Sequence, residues 1–258
     1  MRAARTARIF RHELVLLRTS WIPLSLYFVM PLVVLAFVEG GFTVFLQVQD
    51  PGAGFSGADL AAPGLATMFG FMSLSSIGFL FLGDHAWGTW NRVRSLGIRA
   101  SQIMAGKLSV AYLAQLALFT FVMICAVTLF DLRVRGALLA LVAVELVLAL
   151  VAVSYCALAC SLCRNQAEFN AFTYLGALVM AGLGGALTPF ETLPGWAQSL
   201  APLVPTYWSV RAFESVILGG AGLADVAVEL AALAIFAAVF AVASALTFNE
   251  ERQRSTWA

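Results

Sequence analysis

Long apolar runs alternate with short polar breaks along almost the whole chain. A helix needs about 20 apolar residues to cross a hydrocarbon core about 30 Å thick. Runs of that kind fall at Trp21–Leu46, Leu60–Leu82, Leu108–Phe130, Ala137–Leu162, Phe169–Leu187 and Asp225–Phe248. Each can satisfy its own backbone hydrogen bonds, which lipid cannot do for it. The pattern therefore predicts an all-α polytopic membrane protein with six transmembrane helices. Before the first run, Arg2, Arg5, Arg8 and Arg11 recur every three residues, while Ala3, Ala7, Phe10, Leu14 and Leu17 gather on the other side. That spacing predicts an amphipathic helix over 1–20 that lies on an anionic leaflet. The remainder, 21–258, reads as one six-helix transmembrane domain. The long basic start, with no cleavage site after the first span, argues against a cleavable signal.

Composition agrees. The chain is 61% hydrophobic and 11% charged, less than half the charged share of an average soluble domain. Its net charge of +1 hides an asymmetry. Of the fifteen basic residues, all but Arg133, Arg135 and Arg211 fall in the N-terminus, the Asp84–Lys107 stretch, the Arg164–Glu168 turn or the tail. The positive-inside rule then places both termini in the cytoplasm. Lys107 is the one lysine among those fifteen. With the alanine excess, that usage points to a bacterial cytoplasmic membrane, and no nucleic-acid partner is expected.

Motifs for chemistry on the chain itself fail on inspection. Ser101–Leu108 has Gly106-Lys107 but lacks the first glycine and the hydroxyl of a phosphate loop. His12 and His85 stand in polar segments without a nucleophile elbow or a metal-binding helix. Cys156, Cys160 and Cys163 could share one helix face, but no histidine is near and their flanks are apolar. Reduced thiols used for packing are the stronger reading, and no metal is expected.

Three carboxylates stand inside or at the ends of spans. Glu39 and Glu229 lie near the outer ends of the first and sixth, while Glu145 is about two turns deep in the fourth. A buried carboxylate is a functional candidate by default. Its structural reading is a hydrogen-bonded group facing the bundle, or a partner of Arg133 or Arg135. A proton-coupled carrier would carry several such groups at mid-depth. Ala177, Ala181 and Gly185 follow small-residue spacing for helix packing, and Gly182, Gly184 and Gly185 thin the outer end of the fifth span.

Two polar segments carry more information. The run 188–224 is interrupted by Pro189, Pro194, Pro202 and Pro205, yet it carries Trp196, Leu200, Leu203, Tyr207 and Trp208. It predicts short helices dipping into the outer leaflet, with Pro194 near the first turn of one and Pro205 opening the next. The stretch 84–107 predicts one or two short cytoplasmic helices. Trp87, Trp90, Val93, Leu96 and Ile98 offer apolar contacts there, and Arg92, Arg94 and Arg99 offer charge.

Gly88-Thr89 followed by Gly106-Lys107-Leu108 resembles the loop after the second span in membrane subunits of ABC type-2 exporters. Pro189, Leu193-Pro194, Trp196, Pro205, Tyr207 and Gly219-Gly220 resemble their stretch before the last span. The acidic residue usual before Gly-Thr is replaced by the nearby Asp84-His85, and the usual glutamate after it by Asn91. The resemblance implies that 84–107 is a coupling loop docking on a separate ATPase. Gly88, Thr89, Arg92, Arg94, Leu96 and Lys107 would lie in or beside the docking element. It further implies two ATPase subunits that bind ATP and Mg, with no cofactor on this chain, and a second membrane subunit, identical or homologous. The sparsely polar spans suit a hydrophobic or amphipathic cargo such as a drug, antibiotic, lipid or lipid-linked glycan. Phe69, Phe71, Met72, Phe79, Phe81, Phe172, Tyr174 and Met180 are candidates to line its path. The alternatives are a stand-alone secondary transporter or channel, which would depend on Glu145, and a non-transporting scaffold.

Overall fold

The computed structural model describes residues 21–49, 54–86 and 100–247. Eight α-helices and two 3-10 turns account for most of them, with no strand among the described residues. The helices are α1 (Trp21–Gln49), α2 (Gly57–Ala86), α3 (Ala100–Leu129), α4 (Leu138–Leu162), α5 (Gln166–Leu183), α6 (Gly195–Leu200), α7 (Pro205–Ile217) and α8 (Ala227–Thr247). The amphipathic helix expected over 1–20 lies outside the described residues.

Five helices, α1, α2, α3, α4 and α8, are long and apolar enough to cross a membrane. The sixth expected span, Phe169–Leu187, is met by α5, which does not satisfy that test. It has 18 residues, and Gln166, Glu168 and Asn170 make its first turns polar. Asn165 caps it by accepting a hydrogen bond from the Glu168 N–H at 2.8 Å, so the helix must begin in that polar sequence. Even so, α5 runs antiparallel along α2. Phe169 packs on Gly78 near one end of the pair, and Ala186, just past α5, packs on Gly64 near the other.

The expected loop 84–107 is also shorter than the pattern implied. Helix α2 continues through Asp84 to Ala86, and α3 already starts at Ala100. Ala100, Gln102, Met104 and Ala105 are helix formers, and the helix runs on through Gly106, which is buried. Only 87–99 separates the two helices.

Helix α2 is the hub. It packs against α1, α3, α4, α5 and α7, and between Gly57 and Gly78 only Met72 and Ser76 are not buried. Lipid is as apolar as leucine, so little hydrophobic gain drives helices together in a bilayer. Close van der Waals contact must do it instead, and here glycines allow it. A Cβ at Gly57 would strike the Glu39 carbonyl and Thr43 of α1. One at Gly64 would strike the Ala186 backbone, one at Gly70 the Phe119 ring of α3, and one at Gly78 the Phe169 ring of α5. By contrast α1 and α8 have most of their surface turned outward, as Phe37 (84% exposed) and Leu246 (82% exposed) show.

The end of the bundle opposite Ala86 and Ala100 is closed by polar contacts. Asp59 accepts from the backbone N–H of Ser56 and of Arg133, both at 2.9 Å, tying the start of α2 to the α3–α4 connection. That connection in turn bonds to the end of α7, with Gly136 N–H donating to the Val216 carbonyl at 2.9 Å. A side chain at Gly136 would meet the Val216 and Ala221 carbonyls. The proline-rich segment forms a 3-10 turn (Phe190–Thr192), α6, a second 3-10 turn (Ala201–Leu203) and α7, as its sequence implies. Pro194 immediately precedes α6, and Pro205 is the first residue of α7. With 6 and 13 residues, neither helix crosses a membrane. Thr206, Ser209, Phe213 and Val216 insert α7 into the bundle, while Trp196, Leu200 and Leu203 stay exposed.

Gly64→Ala is expected to lower stability by about 1–3 kcal/mol, because the backbone of Ala186 must move. Gly182→Ala has nothing within 4 Å of the new methyl and should be neutral or stabilising by up to about 1 kcal/mol. Thermal unfolding of the two variants in nanodiscs checks the contrast.

Candidate functional site

Both α1 and α5 pack on α2, yet they do not pack extensively on one another. The space between them is a groove whose floor includes the one partly open face of α2, Met72 and Ser76 one turn apart. Polar side chains reach across it. The Tyr27 and Tyr174 hydroxyls hydrogen-bond each other, and Ser75 donates to the Tyr174 oxygen at 3.0 Å. Ser76 lies near the Tyr27 hydroxyl. Along α5, Gln166, Asn170 and Tyr174 recur every four residues and so share one face. Gln166 donates to Asn170 Oδ1 at 2.8 Å and to the Ser75 carbonyl at 3.4 Å, but its own Oε1 is buried without a hydrogen-bond partner. The ladder runs about 12 Å along α5 from its first turn.

Of the candidate path residues, Met72 and Tyr174 lie at this groove. Phe71 is fully enclosed, edge-on to Tyr155 with ring centroids 5.7 Å apart. Phe69 and Met180 are likewise buried, so these three are core side chains in this conformation. Phe172 stacks on Tyr155 on the far side of α5, with centroids 5.5 Å apart, and its carbonyl accepts from the Tyr155 hydroxyl at 3.0 Å. Tyr155 is thus the hub of an aromatic cluster with Phe71, Phe172 and Phe240. Phe79 and Phe81 are helical, in the last turns of α2.

Gly88, Thr89, Arg92, Arg94 and Leu96 lie outside the described residues. Lys107, expected in or beside the docking element, is a buried residue of a helix. It is in the second turn of α3 and 1% exposed, in the electrostatic neighbourhood of Cys160. Cys156 and Cys160 are buried on α4, all four cysteines are free thiols, and no metal-binding group occurs among the described residues. Glu145 is buried and accepts from the Thr120 hydroxyl at 2.7 Å, joining α4 to α3 without an arginine. A matching tie joins α3 to α2, where the buried Gln115 amide donates to the Gly70 carbonyl at 2.8 Å and to Ser73 at 3.2 Å.

Sequence reasoning passed over Gln166, Asn170, Ser75, Tyr27 and Gln115. The four-residue polar spacing on α5 was the available signal. Sequence reasoning named Arg211 and Glu229 at the opposite end but not their pairing. Arg211 of α7 pairs with Glu229 of α8 at 3.3 Å and donates to the Tyr207 hydroxyl at 2.9 Å. Glu214, one turn along from Arg211, is pushed up to about 7. Burial is the main cause and the nearby Glu191 carboxylate adds to it, while Arg211 opposes both.

An unfolded glutamate releases its proton near pH 4.3, whereas Glu214 in the fold keeps it up to about pH 7. Its contribution to stability is therefore complete below the unfolded value and is lost as pH rises through about 7. The difference in melting temperature between the wild type and Glu214→Gln should grow across that window in the variant's favour, and level off above it. Thermal scans in nanodiscs across the window measure it.

The comparisons with known proteins bear on what such a bundle does. No curated protein matches the chain. Residues 8–218 match the membrane family described as ABC-2 type transporter, a span that includes α1 to α7 and the groove between α1 and α5. On that match over most of its length, the chain belongs to the ABC-2 type transporter membrane family.

Proposed function

We propose that the chain is the permease subunit of an ATP-driven exporter in a bacterial cytoplasmic membrane, with both termini in the cytoplasm. Two such subunits, identical or homologous, would work with two ATPase subunits that bind ATP and Mg. The observation that carries the reading is where the 87–99 segment attaches: it continues directly from α2, the helix against which five others pack. Force applied there reaches the whole bundle.

In this reading Gly88, Thr89, Arg92, Arg94 and Leu96 dock on the ATPase, and Lys107 anchors the base of the loop from inside α3. ATP-driven closure of the ATPases pushes on α2 and biases the bundle between two arrangements. The contacts with α2 hold α1, α3, α4, α5 and α7 more extensively than α1 is held to α5. The seam between α1 and α5 is therefore where the subunit yields, and it is the passage offered to a hydrophobic or amphipathic cargo. Arginine placement at the 87–99 end supports the cytoplasmic assignment.

Replacing Arg92, Arg94 and Leu96 together by alanine should cut cargo-stimulated ATP turnover about tenfold, roughly 1.4 kcal/mol of coupling, in nanodiscs holding the chain with its ATPase. The variant should still elute as a folded, inserted subunit. Unchanged turnover and transport in the triple variant would remove the loop as the lever.

A further inference from the structure

Where α7 meets α8, the bundle carries more negative charge than a structural latch needs. Tyr207, Arg211 and Glu214 stand at i, i+4 and i+7 and so share one face of α7. Arg211 donates to the Tyr207 hydroxyl at 2.9 Å, and its Nε pairs at 3.3 Å with Oε1 of Glu229, in the first turn of α8. One carboxylate completes that pair, yet two more act on the same place. Arg211 is within electrostatic reach of Glu214 as well as Glu229, and Glu214 is within reach of Glu191. Burial and the Glu191 carboxylate push Glu214 up to about 7 even with Arg211 beside it, so the place is short of positive charge.

Glu229 adds an unmet acceptor. It is 7% exposed, and its Oε2 is buried without a hydrogen-bond partner among the described residues. The other oxygen of the same carboxylate meets Arg211, which sets Oε2 within the cluster. A carboxylate oxygen held out of water calls for a donor, and the surplus of carboxylates calls for a donor that is a cation. No three carboxylates among the described residues are placed to hold a metal ion. A protonated amine suits a looser set, because its three N–H groups point to acceptors that need not converge on one point.

The segment before α7 shows where such an amine comes from. Gln198 of α6 donates to the Leu193 carbonyl at 2.9 Å and to the Phe190 carbonyl at 3.4 Å, folding α6 back on the turn that carries Glu191. Phe190 in turn packs on Tyr207, with ring centroids 5.2 Å apart. Trp196, Leu200 and Leu203 stay exposed on the same short helices. Exposed tryptophan and leucine beside charge, at the end of a spanning helix, suit the headgroup zone of a bilayer. Arg211 is itself exposed, so its outer edge can meet a phosphate while Glu229 holds the inner one.

We propose that Glu191, Glu214 and Glu229, with Arg211, form a binding site for the ethanolamine headgroup of a phospholipid in the adjoining leaflet. The ammonium donates to Glu229 Oε2 and to the Glu191 and Glu214 carboxylates. The phosphate meets the exposed edge of Arg211, and the acyl chains run past Trp196 and Leu203. A choline headgroup has the charge but no N–H, and a glycerol headgroup lacks the cation. The site requires only that the chain spans a membrane; neither ATP nor cargo enters it.

The test uses the full chain in nanodiscs holding equal parts of ethanolamine, choline and glycerol phospholipids with the same acyl chains. After extraction into mild detergent, native mass spectrometry counts the lipids that stay bound. The ethanolamine lipid should be retained about tenfold over either of the others. Glu191→Gln, a change on an exposed turn, and Glu229→Gln should each reduce that preference at least about threefold. Equal retention of the choline lipid, or stronger retention of the glycerol lipid, would overturn the proposal. So would a preference left unchanged in a folded Glu191→Gln chain, since the lipid would then be held elsewhere. Glycerophosphoethanolamine, the same headgroup without tails, should not displace the lipid at matched concentration. Displacement would make the ligand a soluble zwitterion and overturn the leaflet as its source. If Glu229→Gln does not fold, Glu191→Gln and the three lipids on the unaltered chain decide.

Discussion

Everything in this bundle depends on the burial of α2. A helix surrounded on nearly all sides in a bilayer cannot be held there by the hydrophobic effect, since its neighbours lose nothing by facing lipid instead. It is held by close contact, and its glycines set how close. Gly57, Gly64, Gly70 and Gly78 each admit a different neighbour: α1, the end of α5, the Phe119 ring of α3 and the Phe169 ring of α5. Because those contacts are with backbone and rigid rings, α2 cannot move without moving what touches it. A short connection from its end to α3 makes it the natural place to apply force.

Polar groups inside the membrane fall into two kinds. Some are fully used to join helices, as when Thr120 meets Glu145, Gln115 meets the Gly70 carbonyl, or Asp59 holds the α3–α4 connection. Satisfied in this way, a buried polar group stiffens a bundle and fixes register. The groove between α1 and α5 is of the other kind. Its groups are partly open, one acceptor is unmet, and the two helices on either side are joined mainly through their tyrosines. A structure that is rigid around α2 and loosely closed along one seam has a place to open.

The membrane spans were legible because a run of apolar residues is long compared with any break, and the segment 188–224 because its closely spaced prolines interrupt any long helix and favour the first turn of short ones, as at Pro205. Facing was not legible. Helices α1 to α4 are apolar all round, so nothing in their periodicity separates a core position from a lipid-facing one. That is why Phe71, sealed against Tyr155, and Met72, open to the groove, looked alike. The same ambiguity hid Tyr155 and Gln115, whose roles depend on which helix lies opposite. Lys107 misled for a related reason: next to a glycine it reads as loop, yet packing carries α3 through it and buries it. The sixth span sits between these cases, since a polar first turn at Gln166 and Asn170 weakens its apolar signal and at the same time builds the ladder.

The most direct test of the account is the distance between α1 and α5 in the working complex. Spin labels at Leu26 and Leu175, exposed neighbours of Tyr27 and Tyr174, can be read by pulsed electron resonance in a background lacking Cys125, Cys156, Cys160 and Cys163. The account predicts that trapping ATP on the partner ATPase changes that distance distribution, while a pair across α4 and α8, at Leu150 and Val239, stays fixed. An unchanged α1–α5 distance, or an equal change in both pairs, would contradict a seam that opens beside a rigid hub.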